Sequence, residues 1–112
     1  MPRLMFETQV RGPVVLVTLR GELDMLATAD IERELARLTD EPRFDVIALD
    51  LRALDFLDST GLRTILLARN RLEDEDRRLV LVRGPRAVQR VFELTRTTER
   101  LEFVDAPEHV AI

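Results

Sequence analysis

A single α/β domain, with a mostly parallel sheet, an antiparallel N-terminal strand and helices mainly on one face, is the fold class this 112-residue sequence predicts. Three observations lead there. Short β-branched runs alternate with segments whose apolar residues recur at helical spacing, which is the pattern of successive βα units. The first two runs are separated only by Arg11-Gly12-Pro13, too short for a crossover and right for a hairpin. With 46% hydrophobic residues in 112, the chain suits one core spanning 1–112 and has no room for a second.

Residues 4–10 and 14–20 read as the two hairpin strands. In the second, Val15, Val17 and Leu19 are expected to face the helices, while Leu16, Thr18 and Arg20 make a mixed opposite face. After Gly21-Glu22-Leu23-Asp24, the residues Ile31, Leu35 and Leu38 mark a first helix, with Thr28 or its predecessors as candidate cap and Asp40-Glu41-Pro42 as its end. Val46 to Leu51 reads as a buried central strand. Leu62, Ile65, Leu66 and Leu72 define the core face of a second helix that runs into the acidic, solvated stretch 73–76. Leu79 to Val82 is the next strand, and Gly84-Pro85 opens a third helix with proline near its first position, packing Val88, Val91, Phe92 and Thr95 inward. Leu101 to Val104 closes the sheet, leaving 106–112 too short for much of a helix. The order is ββαβαβαβ, and right-handed crossovers between neighbouring parallel strands place the helices on one face.

In such a sheet the βα loops gather at the carboxyl ends of the strands, where open α/β folds place their sites. The loops 21–26, 54–60 and 83–85 are expected to meet there and to bring Asp24 and Arg83 near Ser59. Ser59, Thr60 and Gly61 stand at the start of the second helix, among backbone N–H groups without intrahelical partners. A hydroxyl there serves as a cap or, once phosphorylated, sets a dianion where the helix dipole favours it. Asp24 reads either as a turn carboxylate or as part of this site, and Arg83 as a solvated charge or a neighbour of it.

Composition narrows the chemistry. The net charge of −4 argues against nucleic acid as a direct partner, since that affinity comes from clustered cations. No cysteine is present, no apolar run approaches the length of a membrane span, and the N-terminus lacks the pattern of a signal peptide, so a cytoplasmic protein without membrane contacts is expected. All 17 basic residues are arginine. Without lysine there is no Walker A loop and no Schiff base, so any ATP must be held by another protein. The one histidine, His109, lies in the C-terminal tail without a G-x-S-x-G elbow, Asp58-Ser59-Thr60-Gly61 departs from the D-[ST]-G of aspartic proteases, and the carboxylates lack EF-hand spacing. No intrinsic enzymatic activity, cofactor or metal is expected.

Gly21-Glu22-Leu23-Asp24 after the second strand, with Phe56-Leu57-Asp58-Ser59-Thr60-Gly61-Leu62 after the third, resembles the STAS domains of bacterial anti-sigma-factor antagonists over nearly the whole chain. The resemblance implies that Ser59, directly after the aspartate of D-S-[ST]-G, is the phosphoacceptor. It further implies a partner switch. The unphosphorylated protein binds an anti-sigma serine kinase and frees a sigma factor, the kinase ends the binding by phosphorylating the serine, and a serine phosphatase restores it. Family members commonly carry a further C-terminal helix, and this sequence departs from that pattern after its last strand. Free-standing STAS domains also occur as constitutive regulatory or scaffold subunits of signalling or transporter-associated complexes, in which Ser59 would serve only as a cap. A ligand-sensing use of the loop cluster is a third reading.

The expected partner-binding surface comprises Asp24, Asp58, Ser59, Thr60, Gly61, Arg63 and Leu67. On a helical projection Thr60, Arg63, Thr64, Leu67 and Arg71 fall on the outer side of the second helix. Leu67 is either an isolated surface leucine or an apolar contact flanked by arginines.

Overall fold

Strand β1 (Leu4–Arg11) and strand β2 (Val14–Leu23) form the N-terminal hairpin in a computed structural model that describes residues 3–110. Arg11 pairs with Val14 across a two-residue turn in which Gly12 adopts φ +61°, and the register runs unbroken to Leu4 opposite Gly21. Val15, Val17 and Leu19 are completely buried, while Val14, Leu16 and Thr18 on the other face are half-buried. The expected division of faces therefore holds. β2 nevertheless continues past Arg20 to Leu23. Gly21 makes this possible: at φ +99° an added Cβ would stand 2.2 Å from the Arg3 carbonyl oxygen, so only glycine lets the strand pass the incoming chain.

Helix α1 (Thr28–Thr39) buries Ile31, Leu35 and Leu38 as its spacing predicts. Thr28 is not its cap. It lies buried in the first turn, Ala27 occupies the capping position, and the backbone carbonyl of Asp24 accepts hydrogen bonds from the Ala27 and Thr28 N–H groups at 3.0 and 3.1 Å.

Strand β3 (Val46–Leu57) runs six residues beyond the expected end at Leu51, so 54–57 is strand rather than loop. Against β2 it carries an extra residue twice, between the pairs Thr18–Asp50 and Arg20–Ala53 and again between Gly21–Leu54 and Glu22–Phe56. Each insertion breaks the two-residue alternation by one position. Leu51, Leu54 and Leu57 thereby all reach the core at a spacing of three.

Helix α2 (Ser59–Asp74) buries Leu62, Ile65, Ala68 and Leu72, with Leu66 packed partly against the core. Thr64, expected on the outer side, is buried, because α1 covers it: its hydroxyl donates to Glu32 Oε1 and to the Thr60 carbonyl, both at 3.2 Å. The acidic stretch is exposed as expected, although Glu73 and Asp74 still belong to the helix. Strand β4 (Arg78–Val82) leads to helix α3 (Arg86–Leu94), where Pro85 is the N-cap, one residue before the expected position. Val88 and Phe92 are buried, Val91 partly so, and Thr95 is the exposed C-cap whose hydroxyl donates to the Val91 carbonyl at 2.7 Å. Strand β5 (Glu102–Val104) completes the sheet, and Pro107–His109 forms one turn of 3-10 helix. Of the tail, residues 111 and 112 lie outside the described residues.

The sheet order is β1-β2-β3-β4-β5, antiparallel between β1 and β2 and parallel elsewhere. Residues of all three helices share one buried cluster with Val15, Val17, Leu19, Ile47, Leu49 and Leu81. The opposite face holds a small second cluster, Val46, Ala48 and Val80, flanked by Val14, Leu16, Val104 and Val110. No helix among the described residues is long and apolar enough to cross a membrane.

Candidate functional site

One residue, Asp58, separates the end of β3 from the start of α2, and it joins three elements. Its Oδ1 accepts the Gly61 N–H at 3.0 Å as the helix N-cap, and its Oδ2 accepts the Met25 N–H at 3.1 Å in the β2–α1 loop. Its own N–H donates to the Leu23 carbonyl at 3.3 Å. The cap of α2 is therefore this carboxylate and not the Ser59 hydroxyl. Ser59 occupies the first helical position, is exposed, and its hydroxyl makes no hydrogen bond to any described residue. A hydroxyl in this state is accessible, uncommitted and placed at the positive end of a 16-residue helix.

Gly61 is demanded by space. A Cβ there would lie 2.7 Å from the Leu23 carbonyl oxygen and 2.8 Å from side-chain carbons of Leu23 and Leu57. The first turn of α2 thus rests directly on the carboxyl end of β2, which fixes where Ser59 projects. Thr60 beside it is half-buried.

Asp24 stands behind this surface rather than on it. It is buried, its Oδ1 accepts the Leu26 N–H at 3.0 Å, and its Oδ2 pairs with the Arg3 guanidinium, whose Nε lies 2.9 Å away. The hydrogen bond from Arg3 is the leading cause that holds the Asp24 carboxyl below the usual carboxylate range. A carboxylate whose pKa falls on folding adds stability that is complete above its unfolded pKa, about 4, and is lost as the pH falls through the folded value. We therefore expect the β2–α1 loop to loosen in acid below about pH 4, and Arg3→Ala to raise the pH at which the Asp24 carboxyl titrates, as read by NMR. An unchanged titration in that variant would sink the assignment. The sequence reading missed Arg3, although extending the hairpin register by one pair sets it opposite Glu22, two residues from Asp24.

Ser59, Arg63 and Leu67 follow one another at intervals of four along α2 and are all exposed, so they form one stripe. Leu67, 56% exposed, also lines a shallow groove of about 170 Å³ with Leu35, Ala36, Thr64, Ala68 and Arg71. Met25 and Leu26, missed in the sequence, are 69% and 75% exposed on the loop that Asp58 tethers. Their signal was available: two apolar residues between Asp24 and the helix that fit neither strand nor helix period. Arg83 is not brought to Ser59. Its guanidinium bonds Asp105 Oδ1 at 2.9 Å and lies 5.5 Å from the centre of the Phe103 ring, so the last strand holds it.

These features define a small α/β domain with an exposed hydroxyl, unbonded among the described residues, at the N-terminus of a helix whose cap also tethers a loop with exposed apolar side chains. The chain belongs to the STAS domain family, whose model matches residues 5–108. It is 33% identical over 82 residues, covering 73% of this chain and 70% of the other, to a protein described as a candidate anti-sigma factor antagonist, BtrV, from Bordetella bronchiseptica. Its fold is that of an anti-sigma factor antagonist from Mycobacterium paratuberculosis (TM-score 0.85, 21% identity, 94% of this chain and 88% of that one). The same holds for SpoIIAA in its unphosphorylated form (TM-score 0.79, 24% identity, 93% and 91%) and for Bacillus SpoIIAA in its phosphorylated form (TM-score 0.73, 23% identity, 93% and 95%).

Proposed function

We propose that this chain is an anti-sigma-factor antagonist acting in the cytoplasm, which binds an anti-sigma serine kinase while Ser59 is free and releases it once the kinase, holding the ATP, has phosphorylated that serine. A serine phosphatase resets the switch. The observation that carries the reading is the division of labour at the start of α2: Asp58 caps the helix, and the Ser59 hydroxyl is left exposed and, among the described residues, unbonded. Likeness of the fold to both phosphorylated and unphosphorylated SpoIIAA supports a modification that the fold tolerates.

The physical basis is local. Phosphorylation adds roughly −1.5 to −2 charges beside Asp58, at a helix end where the dipole favours them. The free protein bears this easily, but a partner surface closed over a neutral hydroxyl does not. Desolvation and like-charge repulsion of a few kcal/mol weaken binding by about tenfold for every ~1.4 kcal/mol. Within this reading, Met25, Leu26 and Leu67 supply apolar contact area, Arg63 supplies charge, and Asp24 positions the loop.

The test is phosphoryl transfer from labelled ATP, in extract of the source organism, to the folded wild type and to Ser59→Ala, with the modified residue located by mass spectrometry. Label on the wild type that vanishes in the variant is the expected result. Absence of label on both, while other proteins in the extract are phosphorylated, would favour a constitutive scaffold subunit instead. With the kinase in hand, Leu67→Glu should weaken its binding at least tenfold without lowering Tm, and an unchanged titration would remove Leu67 from the interface.

A further inference from the structure

The two edges of the sheet are built differently. β5 is only three residues long, which blunts that edge. β1 at the other edge is eight residues, pairs with β2 in an unbroken register, and contains neither proline nor bulge. Two of its apolar side chains, Met5 and Val10, are each 50% exposed. We propose that the β1 edge pairs antiparallel with β1 of a second copy, about a two-fold axis through Thr8, to give a continuous ten-stranded sheet.

Hydrogen-bond parity leads to this register. The Glu22 N–H donates to the Arg3 carbonyl at 2.8 Å, and Arg3 falls opposite Glu22 when the β1–β2 register is extended one pair beyond Leu4–Gly21. In an antiparallel ladder bonded pairs alternate with unbonded ones, so the odd-numbered residues of β1 bond β2 and the even-numbered ones turn their N–H and C=O groups outward. Leu4, Phe6, Thr8 and Val10 therefore offer the free edge. A two-fold at Thr8 sets Thr8 against its own counterpart, Phe6 against Val10, Glu7 against Gln9 and Met5 against Arg11, with no like charges opposed. A two-fold at Glu7 would oppose that carboxylate to itself, and one at Gln9 would leave Leu4, Met5 and Phe6 beyond the partner strand, whereas Thr8 leaves only Leu4. Charge, apolar pairing and strand length thus select Thr8 as the centre.

The neighbourhood accepts such a partner. On the helix face, Phe6 floors a groove of about 360 Å³ walled by Asp30, Arg33, Glu34 and Arg37 of α1, into which Val10 of the second copy would project. α1 is held over this edge by the hydrogen bond from the Thr8 hydroxyl to Glu34 Oε2, 2.6 Å. Ser59 lies at the end of β3, two strands in from the edge, so the pairing neither needs nor covers it.

The absence of cysteine makes the test direct. In the proposed register the Thr8 positions form a bonded pair with Cα atoms about 5.5 Å apart, within disulfide reach, whereas the Glu7 positions are roughly 8 Å apart and outside it. Sedimentation of the wild type should show a concentration-dependent dimer, and Thr8→Cys should cross-link under mild oxidation several-fold faster than Glu7→Cys. Gln9→Glu, which opposes two carboxylates at each of two places, should raise the dimer Kd at least tenfold, and Glu7→Gln added to it should restore the affinity. The Gln9→Glu series keeps the test valid if Thr8→Cys folds poorly. A wild type that stays monomeric at millimolar concentration overturns the proposal, as does equal cross-linking of the two cysteine variants or a dimer indifferent to Gln9→Glu.

Discussion

Gly61→Ala should destabilise the domain by about 2–3 kcal/mol, the upper part of the range for overpacking, although alanine is ordinarily the better helix former. The added Cβ would meet the Leu23 carbonyl oxygen at 2.7 Å, and that atom belongs to the backbone of a paired strand. A flexible side chain could swing aside, but here α2 must lift away from β2 or β2 must bend. Either adjustment shifts Ser59 relative to the Met25-Leu26 loop. Denaturant unfolding would show the loss as a lower midpoint with an unchanged slope. Stability equal to or above that of the wild type would mean that the close approach of α2 to Leu23 is wrong.

Asp58→Ala should be the second large effect, because one carboxylate satisfies two backbone donors in different elements. Loss of an N-cap costs about 1 kcal/mol, and hydrogen bonds to charged groups are worth about 1.5–3 kcal/mol. A total of about 2–3 kcal/mol is expected, with amide exchange accelerated at both Gly61 and Met25, whose N–H groups lose their acceptor. Asp58→Asn keeps an acceptor oxygen and should recover much of the cap, while its amide group cannot accept the second N–H. Exchange at Met25 that stays as slow as in the wild type would show that Asp58 does not hold the β2–α1 loop.

Both predictions turn on residues that the motif already marked, yet their reasons were not legible in it. The sequence read Ser59 as either a cap or a modification site, since a hydroxyl at a helix start suits both. Whether Ser59 is the cap depends on which side chain reaches the Gly61 N–H, and Asp58 reaches it because its extended backbone, φ −110° and ψ −177°, aims the carboxylate back over the first turn. The length of β3 escaped for a different reason. Sequence periodicity assumes two residues per repeat, and the two extra residues of β3 produce Leu51, Leu54 and Leu57 at intervals of three, which resembles neither an alternating strand nor a full helical turn. Thr64 was misplaced because a helical projection sees a single helix. α1 covers α2 from the side, so a position outside the sheet-facing stripe is also buried.

The sequence by itself determined the order ββαβαβαβ, the hairpin at Gly12-Pro13, the helix-facing side of β2 and the family, because these depend on local periodicity, turn chemistry and short motifs. Tertiary structure alone decided which group caps α2, that Arg3 neutralises a buried Asp24, that Arg83 turns to β5 rather than to Ser59, and that Asp58 tethers the loop carrying the exposed Met25 and Leu26. Each of these is a choice among partners distant in the chain, such as Arg3 and Asp24 or Asp58 and Met25. A side chain's partner is set by the three-dimensional distance between elements, and that distance exists only after the sheet and its helices have packed.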